Sequence, residues 1–574
     1  MQKQTYKIKN GAGFIDAVRI KDGDYAVYTT LAHEKFFCDY LKELAGEAKM
    51  PSAWEQKGLR ENSARSLFFL NVPGTGSFFV KHFKQPDFFQ QVRFVFEKSK
   101  AVQEFHNLLL LAADGVSAPE PVGVIEKGNG LYTETARLFL KNIPGAMSLK
   151  DFFTEIKPGW KTAVKIIDDA AAFVNLFISK GFYHRDFHIG NILIKESAEG
   201  RCELFISDLH RAQKIEKLNR GMAVYNIAHL VYSLNTVAPF TLCWHFMKKF
   251  CALNPDFKAD GQDGLDAKKI RDFSRQVIKK AKEIRHEHLI SRMNRVLKNS
   301  TGFTVIKSIG YNIYTRRGTD PRAVLRHVEK HDHIKDNAPM KLEKNTFKRA
   351  LSRINLEDFP EKGRIYVKEY IYTFSQVLVK NFLRMHRAKS AWVAAEGFRL
   401  RNLPTPLCIG LVEKKFMPFI TTGCLISYEV PNALPLSQFI VENYSRHFAG
   451  RDFYIAKKQF VMHLMEFVRD IHSKGVFHYD MKANNILVQK AEDIGNAKMH
   501  WLDLDRVDFC RELSEGQVIK NLAQLNASIP GMISRADRLR FFYAYQERFR
   551  KFKNPKAALR RIMEITIQRR HIWP

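Results

Sequence analysis

One segment of this 574-residue chain occurs twice, and the repeat limits the folds that the chain can adopt. The run GFYHRDFHIGNILI at residues 181–194 returns in altered form as GVFHYDMKANNILV at residues 475–488. Both copies keep a His, then an Asp, then an Asn five residues after that Asp, followed by an apolar run. A repeat spaced by half the chain indicates a duplicated domain rather than a short solenoid unit.

Other segments repeat at nearly the same spacing. GVSAPEPVGVIEK at residues 115–127 matches NLPTPLCIGLVEK at residues 402–414 at a shift of 287 positions. FFVKHF matches IYVKEY at the same shift, and DLHR at residues 208–211 matches DLDR at residues 503–506 at a shift of 295. We therefore predict two homologous domains, residues 1–295 and residues 296–574.

Each half begins with strand patterns and continues with helical ones. Residues 66–83 predict two strands around a Pro-Gly turn. Residues 99–115, 163–181 and 459–475 carry apolar residues at helical spacing and end at Gly, which is typical of a helix C-terminus. Each half therefore predicts an α+β fold with a small β-rich lobe followed by a larger helical lobe.

The recurring polar residues have the order that phosphoryl transfer needs. The first half carries Lys81 at a strand, then His184, Asp186, Asn191 and Asp208. In a protein kinase a Lys neutralises the nucleotide phosphates, and an Asp and an Asn hold Mg²⁺. A further Asp takes the proton from the hydroxyl group that receives the phosphate. The second half repeats the set as Lys368, His478, Asp480, Asn485 and Asp503. We therefore predict two tandem protein-kinase-like domains.

Several of these motifs resemble one family, the lipopolysaccharide kinases of the Kdo kinase and core heptose kinase type. The first half carries YHRDFHIGNILI, DLHRAQ, QEFHNLLLL followed by GVSAPEP, and YNIAHLVYSL; the second carries DLDR, LPTP and ADRLRFFYAY. The resemblance covers nearly all of the chain, once in each half. It implies ATP-dependent phosphorylation of a Kdo or heptose hydroxyl of the lipopolysaccharide inner core, at the cytoplasmic face of the bacterial inner membrane.

The resemblance also implies roles for individual residues and cofactors. ATP and Mg²⁺ are the implied cofactors. The proton acceptors are Asp186 and Asp480, and the phosphate contacts are Lys81 and Lys368. By comparison with protein kinases, Lys482 is expected to steady the transferring phosphate. The implied metal ligands are Asn191, Asp208, Asn485 and Asp503.

The halves differ at the helix residue that pairs with the strand lysine in kinases. Glu104 stands at that place in the first half, and the 287 shift puts Ala391 there in the second. The nearest acidic residue on that helix, Glu396, is five residues further on. Five residues rotate a helix by about 140°, so we expect the Glu396 side chain to point away from Lys368. We expect the first half to be complete at this point and the second half to be impaired.

The loop around the predicted proton acceptor differs in the opposite sense. The second half has Lys482 two residues after Asp480, as protein kinases do, whereas the first half has His188. Tyr479 replaces Arg185, so any charge pairing by that Arg is lost in the second half. We expect the first half to be active and the second half to be active or regulatory.

The net charge of +32 predicts an anionic partner. Residues 535–571 hold twelve Lys and Arg against three acids, with aromatic residues among them. An anionic membrane surface or the glycolipid acceptor fits this charge. No RNP pattern, zinc knuckle or Gly-x-x-Gly clamp occurs, so nucleic acid is not expected. The sequence shows no signal peptide and no spanning run, and its seven scattered cysteines suit a reducing compartment.

Two other functions stay open on the sequence. A kinase of the same fold could phosphorylate proteins or small molecules, since the loop residues alone do not set the acceptor. A partly degenerate pseudokinase scaffold could bind nucleotide or glycolipid without turnover. The Asp–Asn–Asp set is intact in both halves and favours catalysis.

Overall fold

The computed structural model describes residues 1–10, 13–46, 55–61, 65–72, 75–84, 98–128, 133–196, 202–258, 264–346, 349–355, 363–373, 385–416, 419–444, 450–489 and 497–569. The chain divides into two compact units, Met1–Arg285 (unit 1) and His286–Pro574 (unit 2). Both units combine helices with antiparallel sheets, which agrees with the predicted α+β content. The predicted domain boundary after residue 295 stays a prediction.

Unit 1 begins with an antiparallel sheet of eight strands. They are β1 (Gln2–Asn10), β2 (Gly13–Asp22), β3 (Tyr25–Thr29), β4 (Glu55–Glu61), β5 (Arg65–Val72), β6 (Gly76–Phe83), β7 (Pro121–Gly128) and β8 (Thr133–Lys141). Their order across the sheet is β1-β2-β3-β7-β8-β6-β5-β4. The strand that carries the predicted lysine, β6, therefore lies inside the sheet.

The predicted hairpin within residues 66–83 is present as β5 and β6. Its turn residues Pro73 and Gly74 lie outside the described residues. Lys81 pairs with Leu67 of β5 on one side and with Leu138 of β8 on the other, so it occupies an interior strand and is buried. A buried lysine requires a charged partner, because an unpaired charge is costly away from water.

Helices and short strands follow in unit 1. The helices are α1 (Glu34–Gly46), α2 (Lys100–Ala113), α3 (Trp160–Ser179), α4 (Arg220–Leu234), α5 (Phe240–Leu253) and α6 (Ala267–Met293), which continues past the division between the units. The short strands are β9 (Met147–Ser148), β10 (Phe182–His184), β11 (Ile192–Glu196), β12 (Cys202–Ile206) and β13 (Ala212–Lys214). This part supplies the loops that face the sheet.

The helix ends follow the local sequence signals. The side chain of Ser99 caps α2 by accepting the N–H of Val102 at 3.3 Å. The chain leaves α2 and α3 through Gly115 and Gly181, whose φ angles are +70° and +82°. A Cβ at position 181 would lie 2.3 Å from the carbonyl oxygen of Ile215. Glycine is required there by both conformation and space.

Unit 2 repeats this organisation with a sheet of seven antiparallel strands. They are β14 (Phe303–Lys307), β15 (Tyr311–Arg316), β16 (Lys344–Thr346), β17 (Arg349–Asn355), β18 (Arg364–Ile371), β19 (Cys408–Phe416) and β20 (Phe419–Tyr428). Their order is β14-β15-β19-β20-β18-β17-β16. Lys368 lies on β18 and pairs with Leu351 of β17, as Lys81 pairs with Leu67.

The helices of unit 2 are α7 (Pro321–Asn337), α8 (Arg387–Arg399), α9 (Leu436–Asn443), α10 (Arg451–Ser473), α11 (Glu515–Ser528), α12 (Arg535–Phe549) and α13 (Pro555–Gln568). Its short strands are β21 (Ala433–Pro435), β22 (Val476–His478), β23 (Ile486–Gln489), β24 (Lys498–Trp501) and β25 (Val507–Phe509). As predicted, α10 ends before a glycine, Gly475, with φ +72°. Among the helices that the structure describes, none has the length and apolarity of a membrane span.

Candidate active site

A small hairpin brings two predicted metal ligands of unit 1 to the same end. β11 pairs with β12 so that Ile192 lies opposite Ile206, which places Asn191 and Asp208 just beyond the paired ends. The backbone N–H of Ser207 donates to the carbonyl oxygen of Asn191 at 2.8 Å. Asp208 adopts a left-handed conformation with φ 59° and ψ 50°. This conformation is uncommon outside glycine, Asn and Asp, and often marks a functional position.

The predicted lysine, glutamate and aspartate of unit 1 form one cluster. The Nζ of Lys81 lies 2.6 Å from Oε1 of Glu104 and 3.7 Å from Oδ1 of Asp208. Oε1 of Glu104 also accepts the backbone N–H of Leu209 at 3.2 Å. Both members of the Lys81–Glu104 pair are buried. The helix α2 is therefore joined to the strand lysine and to the loop that carries Asp208.

Positive groups surround the Asp208 carboxylate. Burial alone would raise its pKa, but a hydrogen bond with His210 at 3.0 Å and the charges of Lys81 and Arg65 hold that pKa well below its usual range. The guanidinium of Arg65 lies 3.4 Å from Oδ1. Asp208 is consequently ionised at any physiological pH and is ready to bind a cation.

His184 fixes the loop that carries the predicted proton acceptor. Its Nε2–H donates to the carbonyl oxygen of Asp208 at 3.1 Å, and its Nδ1 accepts the backbone N–H of Asp186 at 2.9 Å. This pattern requires the neutral ring, because a protonated Nδ1 would face a second donor. Burial lowers the pKa of His184 to about 4, which agrees with a neutral side chain.

Asp186 presents its carboxylate at the surface of this loop. Arg211 lies 3.5 Å from its Oδ2 and His188 lies 3.8 Å from its Oδ1. Asn191 donates from Nδ2 to the backbone carbonyl of Asp186 at 2.9 Å. Since the amide nitrogen of Asn191 is used in this way, its Oδ1 is the atom that could bind a metal.

The late motif YNIAHLVYSL forms hydrogen bonds with the backbone of the loop that carries Asp186. On α4, Oδ1 of Asn226 accepts the backbone N–H of His184 at 3.2 Å, and Oγ of Ser233 accepts that of Ile189 at 3.1 Å. Its second copy on α11 acts alike, since Ser528 accepts the N–H of Ala483 at 2.8 Å. These contacts explain why the motif recurs, although the sequence alone indicates no role for it.

Unit 2 keeps the loop geometry with different side-chain partners. Asp503 again has a left-handed backbone, with φ 58°. Asn485 donates to both the carbonyl oxygen of Asp480, at 2.8 Å, and its Oδ2, at 3.2 Å. The Nζ of Lys482 lies 2.7 Å from the same Oδ2. The predicted proton acceptor of unit 2, Asp480, is thus more closely paired than the predicted proton acceptor of unit 1, Asp186.

The strand lysine of unit 2 is paired directly with the predicted metal ligand. The Nζ of Lys368 lies 2.6 Å from Oδ1 of Asp503, and Arg349 lies 3.7 Å from its Oδ2. Burial opposes ionisation, but the charges of Lys368 and Arg349 hold the pKa of Asp503 below its usual range. Within the described residues, Asp503 is the carboxylate that pairs with Lys368.

The helix glutamate of unit 2 faces away, as predicted. Glu396 is buried and pairs with Arg316 at 2.9 Å and with Arg399 at 2.6 Å. Ala391 occupies the buried position that corresponds to Glu104. The helix α8 therefore supplies no carboxylate to Lys368.

A chain of buried polar groups supports the loop of unit 2. Asn521 on α11 donates from Nδ2 to the carbonyl oxygen of His478 at 2.6 Å, so its Oδ1 accepts from Nε2 of His472 at 3.3 Å. Nδ1 of His472 then accepts the hydroxyl of Tyr545 at 2.8 Å. Burial lowers the pKa of His472 to about 4.

Acidification should therefore destabilise unit 2 through His472. A histidine with a usual value near 6.5 takes up its proton first in the unfolded chain, so the stability from the neutral ring is complete above about pH 6.5 and is lost as the pH falls towards 4. A shift from 6.5 to about 4 corresponds to about 3 kcal/mol at most. The His472→Gln variant should show a flatter curve of unfolding free energy against pH, measured by denaturant titration. Parallel curves for wild type and variant would contradict this.

The sequence did not identify several charged side chains at the site. Arg65 and Arg349 each stand two residues before the strand residue that pairs with the lysine, Leu67 in unit 1 and Leu351 in unit 2. His210 and Asp505 occupy the one variable position within DLHR and DLDR. The difference at this position was the sequence signal that could have identified His210 and Asp505, because the two motifs match at every other position.

Three residues of unit 1 could hold a metal ion together. Ligand atoms of Glu104, Asp208 and His210 all lie within 4.8 Å of one another. A second such group, His331, Asp332 and Glu369, lies on α7 and β18 of unit 2. There Lys335 and Lys414 already pair with its carboxylates, at 3.1 Å and 2.5 Å, so this group is a salt-bridge network.

The basic C-terminal region is partly structural. Arg538 donates to the carbonyl oxygens of Asn526, Ile529 and Pro530, which end α11. Phe542, Tyr545 and Phe552 are buried. Other cations of α12 and α13 face outward, so a membrane-facing role for them stays a prediction.

A comparison with protein-family models agrees with the resemblance. A model of the lipopolysaccharide kinase (Kdo/WaaP) family matches residues 78–249 and residues 358–545, which together span more than half of the chain. A solved structure described as WaaP in complex with acyl carrier protein aligns with 19% identity and a TM-score of 0.32, covering 40% of this chain and 88% of that one. No curated protein sequence matches. The family model matches once in each unit.

Proposed function

Because the chain belongs to the lipopolysaccharide kinase (Kdo/WaaP) family, whose members are kinases, we propose that it transfers the γ-phosphate of ATP to a Kdo or heptose hydroxyl of the lipopolysaccharide inner core. One observation carries the proposal. In unit 1, Lys81 lies between Glu104 and Asp208, at 2.6 Å and 3.7 Å, as a kinase phosphate site requires. We assign the units to two tandem protein-kinase-like domains, residues 1–295 and residues 296–574.

In unit 1 the acceptor site centres on Asp186. Its half-exposed carboxylate takes the proton of the acceptor hydroxyl as the hydroxyl oxygen forms its bond to the γ-phosphorus. The bond between the γ-phosphorus and the bridging oxygen breaks, and ADP leaves. His184 and Asn191 hold Asp186 in place through its backbone.

The residues present fit ATP and Mg²⁺. Asp208 supplies an ionised carboxylate, and Asn191 has Oδ1 left for ligation; oxygen donors of this kind suit Mg²⁺. Mg²⁺, when bound, neutralises charge on the nucleotide phosphates. Lys81, held by Glu104, contacts those phosphates, and Arg65 adds positive charge beside them.

Unit 2 is assigned the same reaction at a lower rate. Asp480 is the proton acceptor, Asn485 and Asp503 the metal ligands, and Lys368 and Lys482 the phosphate contacts. Its lysine lacks a helix glutamate, and this favours slower transfer or a binding role. This difference between the units supports the assignment of unit 1 as the main catalyst.

The proposed place of action is the cytoplasmic face of the inner membrane. The net charge of +32 favours a phosphorylated glycolipid and an anionic surface. Each Lys or Arg near such a surface contributes about 1 kcal/mol, so a few outward cations are sufficient for localisation.

The acceptor can be tested directly. The purified chain is incubated with γ-labelled ATP, Mg²⁺ and one of three acceptors: dephosphorylated inner-core glycolipid, the free core oligosaccharide, or a protein substrate mixture. We expect label on the glycolipid, with less on the oligosaccharide. Label on protein alone would replace this proposal by a protein kinase, and no transfer to any acceptor would favour a scaffold.

A further inference from the structure

Two helix side chains join α2 to the loop of Asp208 in unit 1. Besides Glu104, Asn107 donates from Nδ2 to the carbonyl oxygens of Leu209 and Ala212, each at 2.9 Å. The loop that carries the metal ligand is therefore fixed to the helix by hydrogen bonds on both sides of residue 210. Such supporting contacts set the position of a ligand and its affinity for metal.

Unit 2 has lost both of these anchors. The 287 shift places Ala391 at the position of Glu104 and Ala394 at the position of Asn107. Both alanines are buried on α8 and can donate or accept nothing from their side chains. Yet the loop keeps the same left-handed backbone at Asp503, so other contacts must hold it.

A different set of contacts joins α8 to this loop. Arg387, the first residue of α8, makes a close ion pair from Nη2 to Oδ2 of Asp505, whose side chain is only 2% exposed. Arg349 of β17 reaches the same Oδ2 and also Asp503, each at 3.7 Å. In unit 1 the corresponding positions are Lys100, which is exposed, and His210, which bonds Asp208 instead.

Three cationic side chains of this region pack over one aromatic ring, that of Tyr370. The charged groups of Lys368, Arg387 and Arg349 lie over the ring of Tyr370 at 5.1, 5.7 and 5.8 Å. Tyr370 is buried, and cation–π contacts are stronger where water is excluded. The three cations and the two loop carboxylates thus form one packed cluster on β17, β18 and α8.

We propose that Arg387 and Asp505 are positioning residues of unit 2, which hold the loop of Asp503 on α8 in place of the glutamate and asparagine used by unit 1. This inference rests on the proposed nucleotide site of unit 2. The pair leaves Lys368 available to turn from Asp503 to a phosphate when Mg²⁺-ATP binds. Unit 2 therefore keeps a nucleotide site that is held by different side chains, rather than one that has lost its function.

The test uses the full chain with unit 1 silenced by Lys81→Met. A fluorescent N-methylanthraniloyl ATP is titrated with and without Mg²⁺. We expect Arg387→Ala and Asp505→Asn each to weaken binding about tenfold in Mg²⁺, as supporting residues of metal sites do. The double variant should be no weaker than either single one, and Arg387→Lys should restore part of the affinity. Binding without Mg²⁺ should change little, because Lys368 and Arg349 remain.

Arg548→Ala is the matched control, since it removes an exposed ion pair with Glu466 outside the site. Thermal melts check that every variant is folded. Unchanged binding in the site variants, or an equal loss with and without Mg²⁺, would overturn the positioning role alone. No nucleotide binding by the Lys81→Met parent would overturn the proposed site of unit 2, and the positioning role with it.

Discussion

Replacing Glu104 by Ala is expected to lower the free energy of unfolding of unit 1 by up to about 3–5 kcal/mol, because it removes the closest charged partner of the buried Lys81. It also removes the acceptor for the N–H of Leu209. Without the carboxylate, Lys81 is drawn to Asp208, as Lys368 is drawn to Asp503 in unit 2. We therefore expect weaker Mg²⁺-ATP binding as well. Hydrogen exchange of unit 1 peptides measures the stability, and nucleotide titration measures the affinity.

Glu396→Ala in unit 2 is the control for this prediction. Glu396 lies on the corresponding helix, is equally buried and pairs with Arg316 and Arg399 instead of the lysine. Its loss should destabilise unit 2 and leave nucleotide affinity unchanged. If Glu104→Ala kept full affinity, or if both variants lost it equally, the assigned role of Glu104 would be wrong.

Replacing Asp186 by Ala is expected to lower kcat for transfer by unit 1 by a factor of about 10²–10⁴, the usual contribution of a general base. The measurement uses a chain in which Asp480→Ala silences unit 2. Binding of Mg²⁺-ATP and thermal stability should change little, because among the described residues the half-exposed carboxylate of Asp186 pairs with the exposed Arg211 and the half-buried His188, at 3.5 Å and 3.8 Å.

Asp168→Ala is the matched substitution for Asp186. Asp168 is a partly exposed aspartate of α3 that pairs with His245 at 2.9 Å, away from the loop. It should leave kcat unchanged. An Asp186→Ala variant with nearly wild-type kcat, or one that lost nucleotide binding instead, would refute a proton-acceptor role.

The duplication made much of this arrangement predictable. Because both halves keep the same polar residues, the sequence identified the lysine and loop positions, and the hairpin register places Asn191 and Asp208 together. The helix ends at Gly115, Gly181 and Gly475 were also predictable, since few other residues adopt a left-handed backbone without strain. Helical geometry alone predicted that Glu396 faces away from Lys368.

The side-chain partners could not be predicted. Arg65 and Asp208 are 143 positions apart, and Arg316 and Glu396 are 80 apart. Such pairs depend on how the sheet packs against the loops, and no local pattern encodes that. For the same reason the sequence showed an excess of basic residues near Arg538, but not that the Arg538 side chain donates to the carbonyl oxygens at the C-terminal end of α11.

The central claim is that unit 1, with its glutamate-held lysine, carries most of the phosphate transfer. The most direct measurement compares initial rates of label transfer from γ-labelled ATP to dephosphorylated inner-core glycolipid for Lys81→Met and Lys368→Met chains. We predict that Lys81→Met loses nearly all transfer and that Lys368→Met keeps most of it. The reverse order, or full activity in the Lys81→Met chain, would contradict the account.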